Sequence, residues 1–214
     1  MEAKQIQVKT LLLSTAAIAL VEAGAVMSKS ACSPLMKTGA ARLLELAFMV
    51  WIVHVLEGSV GFIGLDRKRW LAGLGRGFVW SAGFGALSGI AFGVLYVAGL
   101  NSLAFIRTAL PRSSPDLFFY FLVGGIVAPA AEEVFFRGIL YGFLRRRGVA
   151  VALVLSTAAF GLTHGWGHGF PLVQVTGGIL FAVAYEVEKN LIVPITIHCL
   201  GNLAIFALSA LFGN

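Results

Sequence analysis

The stretch Ala130-Ala131-Glu132-Glu133-Val134-Phe135-Phe136-Arg137 places two carboxylates and one guanidinium in an otherwise apolar segment that is long enough to cross a bilayer. Moving a carboxylate out of water costs several kcal/mol unless it is paired or protonated. Ionisable residues that persist inside membrane segments are therefore typical of functional sites. The doublet Glu132–Glu133 predicts a working site in a membrane-embedded helix.

The composition of the whole chain favours a membrane protein. Of its 214 residues, 58% are hydrophobic and 12% are charged, whereas a soluble domain carries about 25% charged residues. Apolar segments take up nearly the whole length, so we expect a single membrane domain over residues 1–214. The two cysteines, Cys32 and Cys199, do not suggest a disulfide framework.

Seven apolar segments can be drawn along the chain, at about residues 10–27, 40–57, 77–99, 117–144, 149–165, 170–187 and 191–212. A transmembrane helix needs about 20 predominantly apolar residues. The fourth segment is too long for one straight helix and contains Pro129, so it is expected to tilt, to kink or to form a span plus a partly re-entrant turn. Six or eight transmembrane spans are therefore alternatives to seven. The sequence predicts an all-α, polytopic transmembrane helix bundle of about seven spans.

The first segment follows Lys4 and Lys9, a pattern that signal peptides share. The segment continues to Val26 and contains Glu22, and no clear cleavage site of small residues follows it. These features favour an uncleaved first span.

The basic residues predict the orientation of the chain. With seven spans, ten Lys and Arg residues fall on the side of the N-terminus, five fall on the other side, and Arg137 lies between, which accounts for all 16. Because positively charged loops stay in the cytoplasm, we expect the N-terminus there. The net charge of +6 is explained by these loops. No basic segment alternates with exposed aromatic residues, so nucleic acid is not an expected partner.

Several glycines and histidines outside the acidic stretch can also be interpreted from the sequence. Gly85, Gly89 and Gly93 recur at every fourth position, which predicts close packing against another helix. Gly201 is expected to let a helix or a substrate backbone approach. His168 lies in a Gly/Trp-rich turn and is interpreted as an interfacial loop residue. His54 and Glu57, at the end of the second segment, are interpreted as a boundary pair that faces solvent.

Three polar motifs lie in the C-terminal half. In Glu132-Glu133-x-x-x-Arg137, the residues Glu133 and Arg137 are four apart and share a helix face, where they can pair. Glu132 points about 100° away from Glu133 and can face a cavity. The other two motifs are Phe160-x-x-x-His164 and His198-x-x-x-Asn202.

Each motif alone is a weak signal. A membrane histidine is often a packing residue, an asparagine often joins two helices, and a Glu–Arg pair is often structural. Together, however, the motifs place two acids, two histidines and one amide on three helices that are otherwise almost devoid of ionisable groups. If these helices pack together, the groups meet in one polar pocket.

The residue types allow two kinds of hydrolytic chemistry. Glu132, His164 and His198 are a potential zinc ligand set, because three protein ligands plus a water form the usual catalytic pattern, although the HExxH motif is absent. Alternatively, Glu132 activates water without a metal, a histidine assists, and Asn202 donates to the oxyanion. The sequence does not choose between the two.

The three motifs, in this order and on successive helices, resemble the CPBP family. That family contains the type II CAAX prenyl proteases and bacteriocin-processing or bacteriocin-immunity relatives, and its members are intramembrane glutamic endopeptidases. The resemblance covers about residues 115–210, which would be the motif-bearing catalytic core. Some descriptions of the family call it metal-dependent, so zinc stays open.

The resemblance implies a role for each motif residue. Glu132 would be the general base that activates water, and His164 would position that water. His198 and Asn202 would stabilise the oxyanion, with the Glu133–Arg137 pair in support. No cofactor is required in this mechanism.

We therefore expect an intramembrane endopeptidase that cleaves a membrane-associated peptide or protein tail. Its partners would be membrane lipid and a peptide or protein substrate with a membrane-associated segment. The short chain favours a prokaryotic inner (plasma) membrane by analogy. The alternatives are a non-catalytic immunity or scaffold relative and a proton-coupled transporter. The transporter is disfavoured because the polar residues crowd into the C-terminal half.

Overall fold

A computed structural model describes residues 5–164 and 171–212. Within these ranges the chain forms seven main helices and no strand, which confirms the prediction of an all-α bundle. The helices are α1 (Val8–Met27), α2 (Pro34–Glu57), α3 (Trp70–Val97), α4 (Ser114–Arg147), α5 (Val149–Thr163), α6 (Leu172–Glu188) and α7 (Ile192–Phe212).

Five of these helices, in the described part of the chain, are long and apolar enough to cross a membrane: α1, α2, α3, α4 and α7. Helices α5 and α6 have 15 and 17 residues, fewer than the roughly 20 that a span needs. Each of the seven predicted segments thus forms a helix, and the polytopic helical architecture is confirmed, with two helices shorter than a usual span.

Helix α4 continues through Pro129 rather than breaking into a re-entrant turn. Two wide π-helical stretches, Val123–Val127 and Val134–Tyr141, flank the α-helical turns Ala128–Glu133. A proline removes one main-chain donor and crowds the preceding turn, and a π-helical turn gives that crowded backbone more room. At 34 residues, α4 is about 51 Å long and exceeds the roughly 30 Å hydrocarbon core, so it tilts or extends beyond it.

Helix α3 makes a close helix contact, but not at Gly85, Gly89 and Gly93, where the sequence predicted it. A Cβ atom added at any of these three glycines would meet no atom within 4 Å. A Cβ at Gly77, in contrast, would lie 2.5 Å from Cβ of Thr196, and one at Gly73 would lie 2.8 Å from Cβ of Ile192. Helix α3 therefore packs on α7 through its first turns, and the prediction for the later glycines was wrong.

Connections at the N-terminal end of the bundle are bonded to one another. The main-chain N–H of Leu191 donates to the carbonyl oxygen of Gly64 at 3.1 Å, which joins the α6–α7 connection to the α2–α3 connection. The main-chain N–H of Gln7 donates to the Glu57 carboxylate at 2.9 Å. Glu57, expected to face solvent, instead holds the start of α1. The alternating course of the helices puts these connections on one side of the bundle.

Two apolar clusters form the interior of the described bundle. The first surrounds the middle of α4 and contains Met49, Val53, Val134, Ile139 and Tyr141 among others. The second is largely aromatic and contains Phe136, Phe160, Phe181, Ala184, Val193 and Ile197. Rings of the second cluster contact three polar motif residues, Arg137, His164 and His198. Cys32 and Cys199 are both free, as the sequence suggested.

Candidate active site

Glu133 and Arg137 form an ion pair in the interior of the bundle. Nη1 of Arg137 donates to Oε1 of Glu133 at 2.9 Å, and both side chains are 0% exposed. Nη2 of Arg137 donates to the carbonyl oxygen of Gly178 at 3.2 Å, so the arginine joins α4 to α6. Removing one partner of a buried pair leaves an uncompensated charge. The pair therefore supports the local structure.

His198 contacts the same carboxylate from α7. Its Nδ1 lies 2.8 Å from Oε1 of Glu133. An ionised carboxylate only accepts hydrogen bonds, so Nδ1 is the donor. This bond orients the imidazole and turns Nε2 towards Glu132, in the way that carboxylates orient functional histidines elsewhere.

Glu132 lies between two imidazoles. Its Oε2 is 3.8 Å from Nε2 of His164 and 3.8 Å from Nε2 of His198. These distances are too long for direct hydrogen bonds. Nδ1 of His164 donates to the carbonyl oxygen of Phe160 at 2.9 Å, so its Nε2 is also the nitrogen that faces Glu132. The structure thus brings together the acid and both histidines that the sequence singled out.

The accessibility of these side chains increases in one direction. Glu133 is 0% exposed and His198 is 6% exposed, whereas Glu132 and His164 are 21% and 28% exposed. The site therefore has a dry, ion-paired end at Glu133 and an accessible end at Glu132 and His164. Of these four side chains, Glu132 and His164 are therefore the two that a water molecule or a peptide can contact most readily.

Asn202 lies one turn after His198 and is bonded to the wide turn of α4. Its Nδ2 donates to the carbonyl oxygen of Gly124 at 2.9 Å. In the π-helical stretch, the N–H of Ala128 donates to Val123, and the residue five positions after Gly124 is Pro129, which has no N–H. Asn202 therefore satisfies a carbonyl that Pro129 cannot, and its second amide hydrogen stays available.

Gly201 leaves open space beside this amide. A Cβ at Gly201 would meet no atom within 4 Å, so no neighbouring helix uses the close approach that was expected there. Cys199 is half-buried, and its thiol donates to the carbonyl oxygen of Ile126 at 3.8 Å. His168 lies outside the described residues.

Aromatic rings pack against the two histidines and Arg137. The Phe181 ring stacks on the His198 imidazole, with centroids 4.5 Å apart and an interplanar angle of 21°. The Phe160 ring lies 4.5 Å from the His164 imidazole. Cζ of Arg137 lies 4.6 Å from the Phe160 centroid and 5.1 Å from that of Phe181, within cation–π range. Sequence reasoning missed Phe181, because nothing in its local sequence distinguishes it from other apolar residues of α6.

The three potential zinc ligands, Glu132, His164 and His198, lie near one another without forming a closed ligand cluster. Across residues 5–164 and 171–212, no group of three or more His, Cys, Asp or Glu side chains could hold a metal ion. Both Nδ1 atoms are engaged, by Glu133 for His198 and by Phe160 for His164. Only the Nε2 atoms and the Glu132 carboxylate face one another.

The fold and the site define a polytopic helical membrane protein with an acid–histidine cluster between α4, α5 and α7. Residues 114–204 match the model of a protein family described as type II CAAX prenyl endopeptidase Rce1-like. The match contains all three polar motifs and spans somewhat less than half of the chain. Over residues 114–204 the chain is similar to this family of CAAX-type endopeptidases, and its long apolar helices make it an integral membrane protein. No curated protein and no solved structure matches the chain.

Proposed function

We propose that this protein is an intramembrane endopeptidase that hydrolyses a membrane-associated peptide or protein tail with water activated by Glu132. The observation that carries the proposal is the position of the Glu132 carboxylate. It is partly exposed and lies 3.8 Å from the Nε2 atoms of both histidines. The match of residues 114–204 to a family of CAAX-type endopeptidases supports the same reaction class.

The reaction begins with a water beside Glu132, where one molecule can contact the carboxylate and both imidazoles. Glu132 removes a proton from this water as the hydroxide oxygen attacks the scissile carbonyl carbon. The product of this step is a tetrahedral oxyanion. As the C–N bond breaks, Glu132 returns this proton to the leaving amine, either directly or through His164, so no net proton is gained or lost.

The oxyanion is stabilised from α7. In its protonated form, His198 donates from Nδ1 to Glu133 and from Nε2 to the oxyanion. The second amide hydrogen of Asn202 is another donor at the same helix face. Donors that are held in place before the reaction stabilise developing charge without reorganising. The bond from His198 to Glu133, the stacked Phe181 ring and the bond to Gly124 supply this preorganisation.

A zinc ion bound by Glu132, His164 and His198 is the alternative way to activate the water. The carboxylate of Glu132 and the Nε2 atoms of the two histidines would hold the ion, which would act as a Lewis acid on the same water. Chelation distinguishes the two mechanisms.

The deciding experiment compares purified wild-type protein with Glu132→Gln on membrane-anchored peptide substrates. We expect Glu132→Gln to lower the cleavage rate by about 100- to 10,000-fold, the usual contribution of a general base. The matched control is Glu22→Gln, which also removes a carboxylate from an apolar helix but lies in a half-exposed pair with Arg42. Cleavage that survives Glu132→Gln would contradict the proposal, and a wild type that cleaves none of the substrates would favour the scaffold alternative.

We further propose that the protein resides in a prokaryotic inner membrane with its N-terminus in the cytoplasm. The structure places Arg67–Arg69 and Arg145–Arg147 at the same end of the bundle as the start of α1. A concentration of arginine at one end is the feature that retains loops in the cytoplasm.

A further inference from the structure

A groove between α3 and α6 opens on the outer surface of the bundle, at the end where α1 begins. Its volume is about 610 Å³, within the range of about 300–1,000 Å³ for ligand pockets. The walls are mostly apolar and consist of Val79, Phe84 and Leu87 from α3 and Leu180 and Val187 from α6. None of the residues that line the groove belongs to the proposed proteolytic site, so the groove is a separate feature.

The mouth of the groove is polar. Nε of Arg76 donates to both carboxylate oxygens of Glu188 at 3.1 Å, and Nε1 of Trp80 donates to one of them at 2.9 Å. The Glu188 side chain is 12% exposed, whereas that of Arg76 is 60% exposed. The acid is thus covered by its donors, and the guanidinium still faces outwards.

A second guanidinium converges on the same point. Arg69 donates from Nη2 to the carbonyl oxygen of Glu188 at 3.0 Å and from Nη1 to that of Lys189 at 3.1 Å. Its hydrogen-bond partners are neutral carbonyl groups, and the Glu188 carboxylate is already bonded to Arg76 and Trp80. Two guanidinium groups and one carboxylate therefore lie at the mouth, which leaves an excess of one positive charge there.

We propose that this groove binds one anionic phospholipid. Its acyl chain lies along the apolar walls, and its phosphate contacts Arg76 and Arg69. Guanidinium groups match phosphate oxygens in charge and geometry, and an indole beside them is typical of the membrane–water boundary. The mouth lies at the arginine-rich end of the bundle, where a membrane surface rich in anionic lipid is attracted.

Gly83 provides a way to fill the groove without disturbing the protein. It lines the groove, and a Cβ at this position would meet no atom within 4 Å. The side chain added by Gly83→Leu therefore occupies the space of the acyl chain. Gly75→Leu is the matched control, because Gly75 lies on the same helix with equally open surroundings but does not line the groove.

Trp80 reports directly on the occupant. In a variant with Trp51, Trp70 and Trp166 replaced by Phe, Trp80 is the only indole, and brominated acyl chains quench its fluorescence on contact. The probes are brominated phosphatidylglycerol and brominated phosphatidylcholine in mixed micelles with the full chain. We expect the anionic lipid to quench at about fivefold lower mole fraction, as one additional cation–anion contact at a membrane surface provides.

The substitutions locate the site. Arg76→Gln should abolish the preference for the anionic lipid, and Arg76→Lys should retain most of it. Gly83→Leu should reduce quenching by both lipids, and Gly75→Leu should leave it unchanged. Equal quenching by the two lipids in the parent protein, or a preference that survives Arg76→Gln, would overturn the proposal and leave only unspecific lipid contact.

Discussion

Nδ1 of His198 lies 2.8 Å from Oε1 of Glu133. The buried acid of the doublet, on α4, therefore orients a histidine on α7. The neighbouring acid, Glu132, has no such partner and faces the accessible end of the pocket. Two adjacent residues of one type therefore have different tasks. One carboxylate is fixed by Arg137 and His198, and the other is left to contact water and substrate.

This division of tasks predicts opposite effects of the same substitution at the two acids. Glu133→Gln leaves the fully buried Arg137 guanidinium without its carboxylate, and we expect the free energy of unfolding to fall by about 3–5 kcal/mol. Glu132→Gln should change it by less than about 0.5 kcal/mol, since the side chain is partly exposed and lies 3.8 Å from its histidine partners, beyond hydrogen-bond distance. Thermal unfolding in detergent measures both. Equal destabilisation by the two variants would contradict the assignment.

Phe181 is predicted to be a positioning residue. Its ring stacks on His198 and also faces Arg137, so Phe181→Leu should lower kcat by about tenfold while KM stays within twofold, as for an interaction made mainly in the transition state. Phe181→Tyr keeps the ring and should restore most of kcat. Phe143→Leu is the control, because that ring packs in the other cluster, beside Arg146. A rise in KM with an unchanged kcat would indicate that Phe181 contacts the substrate instead.

Asn202 has a structural bond and a proposed catalytic role, and kinetics can separate them. Asn202→Ala removes the donor to Gly124 together with the second amide hydrogen. If that hydrogen stabilises the oxyanion, kcat should fall by about 100- to 1,000-fold, the usual effect of losing one oxyanion donor. A variant that is less stable but keeps its kcat would show that Asn202 only joins α7 to α4.

Removal of metal ions tests the choice between the two mechanisms. We expect cleavage by purified protein to be unchanged after extended treatment with a strong chelator, because the proposed water activation needs only Glu132 and the two histidines. Loss of activity that zinc restores, together with loss of zinc binding in His164→Ala, would replace the direct mechanism by the metal-assisted one.

The proposed orientation predicts which cysteine reacts from outside the cell. Cys32 is exposed in the connection between α1 and α2, at the end of the bundle opposite the N-terminus. In intact cells that produce the Cys199→Ser variant, a membrane-impermeant maleimide should label Cys32 without permeabilisation. The Cys32→Ser variant serves as the background control. Labelling that requires permeabilisation would place the N-terminus outside.

Contacts within one helix could be predicted from the sequence. The i, i+4 spacing of Glu133 and Arg137 determines that they share a face, and the one-residue offset of Glu132 determines that it faces elsewhere. The apolar segments likewise predicted all seven helices, because length and hydrophobicity decide whether a segment is helical in a membrane. The order of the three motifs was sufficient to indicate the family.

Contacts between helices were decided by the tertiary structure alone. The stacking of Phe181 on His198, the bond from Arg137 to the carbonyl oxygen of Gly178 and the groove beside Trp80 join residues that are distant in the chain. Small residues permit close packing but do not select a partner, so Gly73 and Gly77 met a neighbouring helix while Gly85 did not. Spacing along one chain defines the faces of a helix, and only packing defines what each face meets.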